Sequence, residues 1–364
     1  MMPRVAVVRS DSRRGAVAQA LALVADDLRR VVADEVLIKP NLVSHVNPTA
    51  STHADTLSAT LDAMLDAGAR RAVVAEGASD ATAGFRRFGH IAECHGRPIR
   101  FLDLNRDEDD WRPLELLAVD GRSTRTARLS GTVEDAGCRV SLAIPKTHVV
   151  STITLSLKNM LSSIHPADRV RMHGHAGGNG STGLKGCIVE ILKQDYLPVM
   201  MLTRLMGRIR GRGSIGGQGD YADLSPRDLA FLDSVRALHA NIARLSARVK
   251  PHVSVVDGFV GMHREGPRHG TPIRLGMAIA GTDAVAVDAV AAAVMGFDPR
   301  VIGFLRYADA AGLGVADLDR IEVVGDPIAA VQKRFVPHSN ERVLRHWDHD
   351  GMAIPRPHAA AVSR

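Results

Sequence analysis

Short runs rich in valine and isoleucine alternate along this chain with longer segments of helical periodicity. Strand, helix and strand in succession is the pattern of βαβ units and a mostly parallel sheet. The first run, Arg4–Val8, precedes a helical stretch from about Gly15 to Val31. Glu35–Ile38 follows, then a polar loop and a helix over Ala54–Gly68, in which Leu57, Leu61, Met64 and Leu65 share one face. Further strands are expected at Ala72–Ala75, Ile99–Leu104, Arg139–Ile144, Val253–Val256, Met277–Ala280 and Ile321–Val324. A long amphipathic helix is expected through Leu229–Leu245. The nearly all-apolar stretch Asp283–Met295 reads as a helix buried on most sides.

This pattern predicts an α/β protein with a mostly parallel sheet, or sheets, flanked by helices. Two lobes, residues 1–165 and 223–330, are expected around a middle segment, 166–222, with a tail, 331–364, packing on or beyond them. The middle holds two glycine-rich stretches, residues 173–186 and 207–219, and between them the Met- and Arg-rich segment 196–212. Glycine-rich backbone is costly to order, so this region reads as mobile loops and a lid.

Composition narrows the function. Charged residues make up 24% of the 364, and the net charge of +6 is spread along the chain except for the cluster Arg204–Arg212. Only Tyr196 and Tyr221 flank that cluster, whereas a nucleic-acid binder combines a basic face with stacking aromatics, so no nucleic-acid partner is expected. Cys94, Cys138 and Cys187 are far apart, which supports neither a disulfide framework nor a cysteine-ligated zinc or iron–sulfur centre. The N-terminus runs directly into a strand-like segment without the apolar region of a signal peptide, and no apolar run reaches the roughly 18 residues of a spanning helix. The cytoplasm is the expected location and a membrane role is not expected.

In open α/β sheets ligands bind beyond the carboxyl ends of the strands. Several strands here end in polar groups: Lys39 and Asn41, Glu76, Lys146 with Thr147 and His148, Asp257, and Thr282 with Asp283. Each has a plainer reading, as a helix cap, a turn or a solvated strand end, but five coincident cases point to a shared rim. Lysine offers a positive charge for a carboxylate or phosphate, and histidine offers proton transfer or metal ligation. Lys158 and Asn159 lie in an otherwise apolar and hydroxylic stretch, and Asp288 lies within the apolar helix. A paired buried acid and a pKa-shifted catalytic acid both fit Asp288. His148, His173 and His175 form a candidate divalent-metal set.

Five segments together carry a resemblance: VLIKPNL (36–42), SLAIPKTH (141–148), TITLSLKNML (152–161), VDGFVGMHREGP (256–267) and IAGTDAVAVDAVAAAVMGF (279–297). In this order they are similar to the uncharacterised family catalogued as domain of unknown function 362, over about Val36 to Gly325. The resemblance implies that Lys39, Asn41, Lys146, His148, Lys158, Asn159, Asp257, Glu265, Asp283 and Asp288 belong to the family's common site or core. Many members carry ferredoxin-like cysteine motifs, which implies redox work. This chain lacks them and is expected to hold no iron–sulfur cluster of its own. A more remote likeness of layout is to the nickel-dependent lactate racemase group.

These readings converge on an enzyme for a small anionic metabolite, using acid/base or metal-assisted chemistry. His148, Lys146, Lys158, Asp257 and Asp288 are its candidate catalytic groups. Lys39, Asn41, Glu76, Asn159, Glu265 and Asp283 are its candidate binding groups. The alternative is a non-catalytic accessory protein with a redox partner.

Overall fold

Parallel strands covered on both faces must be apolar along their whole length, and the buried runs of this chain meet that demand. The computed structural model describes residues 2–107, 110–176 and 220–349. Its central sheet has eight strands: β1 (Arg4–Arg9), β2 (Glu35–Lys39), β3 (Arg71–Glu76), β4 (Ile99–Asp103), β7 (Cys138–Ala143), β10 (Val253–His263), β11 (Thr271–Gly281) and β12 (Glu322–Gly325). Their spatial order is β12-β1-β11-β10-β7-β2-β3-β4. Within this sheet β11 is antiparallel to both of its neighbours, and every other pairing is parallel. The halves expected as separate lobes contribute strands to this one sheet.

Alternation along the strands divides the core into two layers. Val5, Val7, Leu37, Val73, Ala143 and Val256 face the helices Pro226–Val249 and Ala284–Val294. Ala6, Val36, Ile38, Val74, Leu142 and Val255 face the helices Arg13–Leu23 and Ala54–Asp66. Each fully buried valine or leucine contributes about 1.5–3 kcal/mol relative to exposure. Every residue of Ala284–Val294 is buried, which accounts for its lack of a polar face. The helix expected over Gly15–Val31 is interrupted at Val24, between Arg13–Leu23 and Ala25–Val31.

Smaller elements complete the site's surroundings. A hairpin of β5 (Trp111–Leu117) and β6 (Thr124–Ser130) lies outside the main sheet, as does the short pair β8 (Thr147–His148) and β9 (Thr152–Ile153). The β10–β11 hairpin shifts register between Gly258 and Val260 and continues past the sheet. Its loop returns over β8. Thr147 Oγ1 donates to the Arg264 carbonyl at 2.8 Å, and Asn47 Nδ2 donates to the Arg268 carbonyl at 2.8 Å. The C-terminal segment packs on the core through Phe335, with Asn340 Nδ2 donating to the Val149 carbonyl at 3.2 Å. The expected lid 196–212, most of both glycine-rich stretches and Cys187 lie outside the described residues. Among the described residues no helix is long and apolar enough to cross a membrane.

Gly266 shows how closely the hairpin loop seats on β8. A Cβ built there would stand 2.2 Å from the Thr147 carbonyl oxygen. Gly266→Ala is therefore expected to cost about 1–3 kcal/mol through overpacking, read as a lower urea midpoint. An unchanged midpoint would show that the loop is free to move off Thr147.

Candidate functional site

Because β2, β3 and β7 are parallel and adjacent, their carboxyl ends deliver Lys39, Glu76 and Lys146 to one edge of the sheet. Lys39 Nζ and Glu76 Oε1 are 2.9 Å apart, and both side chains are fully buried. Glu76 also accepts from the backbone N–H groups of Leu42, Gly77 and Ala78 and from Ser162 Oγ at 2.5 Å. Burial alone pushes its carboxyl upward, but the Lys39 charge and these donors outweigh burial and hold it below its ordinary value. Burial lowers Lys39 despite the Glu76 charge. Glu76, expected as a ligand-binding group, accepts from five donors of this chain, Lys39 included.

A second chain of bonds joins three more of the expected residues. Lys146 Nζ donates to Asn41 Oδ1 at 2.6 Å and to the Ala50 carbonyl at 2.7 Å. Asn41 Nδ2 donates to Asn159 Oδ1 at 2.9 Å. Asn159 Nδ2 reaches the Lys39 carbonyl at 3.1 Å and Ser141 Oγ at 3.0 Å. Lys146 is fully buried, with no carboxylate among its hydrogen-bond acceptors in the described residues. Burial, then the positive charges of Lys158 and Arg268, bring its pKa down to about 7.

His148 ends β8, paired with Thr152 of β9. Thr152 has a φ of 63°, an uncommon conformation for a β-branched residue and one that costs on the order of 1–3 kcal/mol. Two backbone groups, Val150 N–H at 3.0 Å and Ser151 N–H at 3.2 Å, donate to His148 Nδ1. The neutral ring therefore carries its hydrogen on Nε2. Burial, followed by the charge of Lys158, holds its pKa well below the ordinary histidine value. His148 is thus fixed as a neutral donor.

Lys158 lies on the one-turn helix Ser156–Asn159. Its side chain keeps some solvent contact, yet desolvation of the ammonium lowers its pKa to about 8. Among the described residues it has no hydrogen-bond or ion-pair partner. Asp288 holds this helix from beneath, accepting from Ser156 N–H at 2.8 Å and Leu157 N–H at 2.9 Å. Burial raises the Asp288 carboxyl to about 7, against those two bonds. In this arrangement Asp288 anchors the one-turn helix.

Other expected residues fall elsewhere. Asp257 follows Val255 in the alternation and turns to the opposite face of the sheet. There Arg13 Nε lies 3.0 Å from its Oδ2 and Thr56 Oγ1 donates to it at 2.6 Å. Asp283 lies at the far edge because β11 runs antiparallel. It caps its helix, accepting from Val285 and Ala286 N–H groups, and also accepts from Val315 N–H. Glu265 pairs with His338 Nε2 at 3.0 Å and accepts from Ser339 Oγ. His173 is lowered to about 4 by burial and the Lys158 charge, and His175 is exposed. Among the described residues no three His, Cys, Asp or Glu side chains are grouped to hold a metal, so His148, His173 and His175 do not form the expected set.

Several residues at the edge carried no recognisable sequence signal. Ser162 bonds Glu76. Arg169 donates to Asn105 Oδ1 at 3.0 Å and to the Ile164 carbonyl at 2.9 Å. Its pKa falls to about 10, mainly through burial. A hydroxyl in an apolar run and an arginine in a 3-10 turn look like ordinary surface choices until the strands bring Glu76 beside them.

Fold and edge together define an α/β protein that buries lysines at the strand ends of a mostly parallel sheet. Residues 36–293 match the family described as Domain of unknown function (DUF362), and the chain belongs to that family. It is 22% identical over 324 residues to the thylakoid-associated protein sll1697 of Synechocystis sp., covering 88% of this chain and 78% of that protein. Among solved structures, the lactate racemase apoprotein from Thermoanaerobacterium thermosaccharolyticum is similar at 12% identity and a TM-score of 0.42. That likeness covers 77% of this chain and only 54% of the racemase chain.

Two measurements follow from these environments. Glu76→Gln strands the Lys39 charge, and breaking a buried pair this way is expected to cost about 3–5 kcal/mol in chemical denaturation. A loss below about 1 kcal/mol, the range of an exposed pair, would show that water reaches Lys39. Burial brings Lys146 down to about 7 in the folded chain, against an ordinary lysine value of 10.5. Between these values the unfolded chain binds the extra proton, so stability rises with pH and is lost as pH falls through about 7. Lys146→Met is expected to flatten that rise; an unchanged slope contradicts the depressed amine.

Proposed function

We propose that this chain is an enzyme acting on a small carboxylate- or phosphate-bearing metabolite by acid/base chemistry at the strand-end edge. The observation that carries this reading is a buried Lys146 held, among the described residues, only by the neutral Asn41 and Ala50 oxygens, with Lys158 meeting no acceptor there and His148 held at Nδ1 as a neutral donor. Burial lowers the two amines to about 7 and 8. A buried cation that meets no carboxylate among the described residues favours an anionic ligand, which supplies the missing charge. An amine near neutrality has both protonation states available, as proton transfer requires.

The roles follow from the hydrogen bonds. Lys146, held by Asn41 and Ala50, is a fixed point of positive charge for the anionic group. Lys158 is the proton-transfer group, because no described protein acceptor holds it. His148 presents Nε2–H to an oxygen that gains charge during the reaction and so stabilises it. Lys39, Glu76, Asn41 and Asn159 keep the edge in register. Asp257 and Asp283 have no part in this assignment.

The test is ligand-induced thermal stabilisation across a panel of small carboxylates and phosphates. A ligand at 100 times its dissociation constant adds about 2.7 kcal/mol, which raises Tm by several degrees. That shift is expected for the wild-type chain and is expected to vanish in Lys146→Ala and Lys158→Ala. His148→Ala is expected to retain much of it while losing turnover. Equal shifts in wild type and both lysine variants would overturn the assignment.

A further inference from the structure

We infer that Lys158 is a nucleophile that forms an imine with a ligand carrying both a carbonyl and a carboxylate, such as a 2-oxo acid. This rests on the anionic reading above and gives Lys158 covalent capture of the ligand in place of proton transfer.

The three lysines of the edge differ in what holds their nitrogens. Lys39 is matched by Glu76 at 2.9 Å. Lys146 is held by the Asn41 and Ala50 oxygens at 2.6 and 2.7 Å. Lys158 alone of the three has no acceptor among the described residues. An ammonium left without a partner in a desolvated place is costly, and losing its proton relieves that cost. The free amine then has an uncommitted lone pair, the state in which a lysine attacks a carbonyl carbon. Lys146 lies close enough for the Lys158 charge to act on it.

The backbone under Lys158 is anchored on both sides. Asp288 takes the two N–H groups before it, Ser156 and Leu157. Asn159, directly after it, is tied to β2 through the Lys39 carbonyl and to β7 through Ser141. An anchored nucleophile needs little reorganisation on meeting its carbon. The two further groups that the ligand requires lie within reach of the Lys158 charge. Lys146 offers a cation for the carboxylate. His148, whose Nδ1 is already engaged, offers Nε2–H to the carbonyl oxygen.

The step balances without a redox partner. The Lys158 lone pair forms a C–N bond as the carbonyl π pair moves to oxygen, which takes up a proton. The carbinolamine then expels that oxygen as water, and the two amine hydrogens leave with it in net. The product is the imine, and hydrolysis reverses the sequence.

The test uses the full chain with pyruvate as the carbonyl-bearing probe, lactate as a control lacking the carbonyl, and sodium cyanoborohydride to reduce any imine. Peptide mass mapping is expected to place a pyruvate-derived secondary amine on Lys158, with no adduct from lactate. Lys158→Arg keeps the charge and is expected to retain a thermal shift with pyruvate while losing the adduct. Lys158→Met is expected to lose it as well, which guards against a packing effect of arginine. A pyruvate-induced shift without an adduct at Lys158, or adducts spread equally over surface lysines, would overturn the imine and leave the anionic reading standing. Absence of any shift with pyruvate, lactate or inorganic phosphate, together with no adduct, would overturn both.

Discussion

A buried lysine must be matched or must lose its proton, and this constraint organises the edge of the sheet. At β2 the chain takes the first course, matching Lys39 with a carboxylate that five donors, Lys39 included, keep ionised. At Lys146 and Lys158 it takes the second, lowering both amines toward neutrality. Neither arrangement is the most stable use of those positions. An apolar core of equal volume often does as well or better than buried charge. Placing two buried lysines and the partly exposed Lys158 along one edge is therefore costly to the fold.

Secondary elements act as brackets for these groups. The one-turn helix under Lys158 is too short to be stable by itself. It persists because Asp288, from a wholly buried helix, takes its first N–H groups and Asn159 fastens its end to the sheet. The β10–β11 hairpin performs a similar task from above. Its loop bonds Thr147 and Asn47, and its Glu265 holds His338 and Ser339 from the C-terminal segment. Segments distant in sequence thereby enclose His148, and the strained turn at Thr152 is maintained by that enclosure.

Much of the sheet was legible in the sequence, because a strand buried on both faces leaves an apolar run that few other elements leave. Direction was not legible. The run Met277–Ala280 looks like its parallel neighbours, and only the hydrogen-bonded pairing reveals β11 as reversed, which carries Asp283 to the opposite edge. Face was lost at Asp257, where one step of alternation decides between the lysine side and Arg13. The β5–β6 hairpin was missed because Glu115, Arg125 and Arg128 interrupt its apolar pattern. Lys39, Asn41, Lys146 and His148 were singled out from their place after apolar strands, and Lys158 and Asn159 from their place in an apolar and hydroxylic stretch. Their division of labour was not, since it depends on which oxygen or N–H each side chain meets.

The central claim is that Lys146 and Lys158 are weak bases inside the folded chain. Direct titration of lysine side chains by heteronuclear NMR, assigned with single-site variants, measures this without a substrate. Two amines are expected to titrate near about 7 and 8, the lower assigned to Lys146. If both instead titrate close to the ordinary value of 10.5, the edge is hydrated and the account fails.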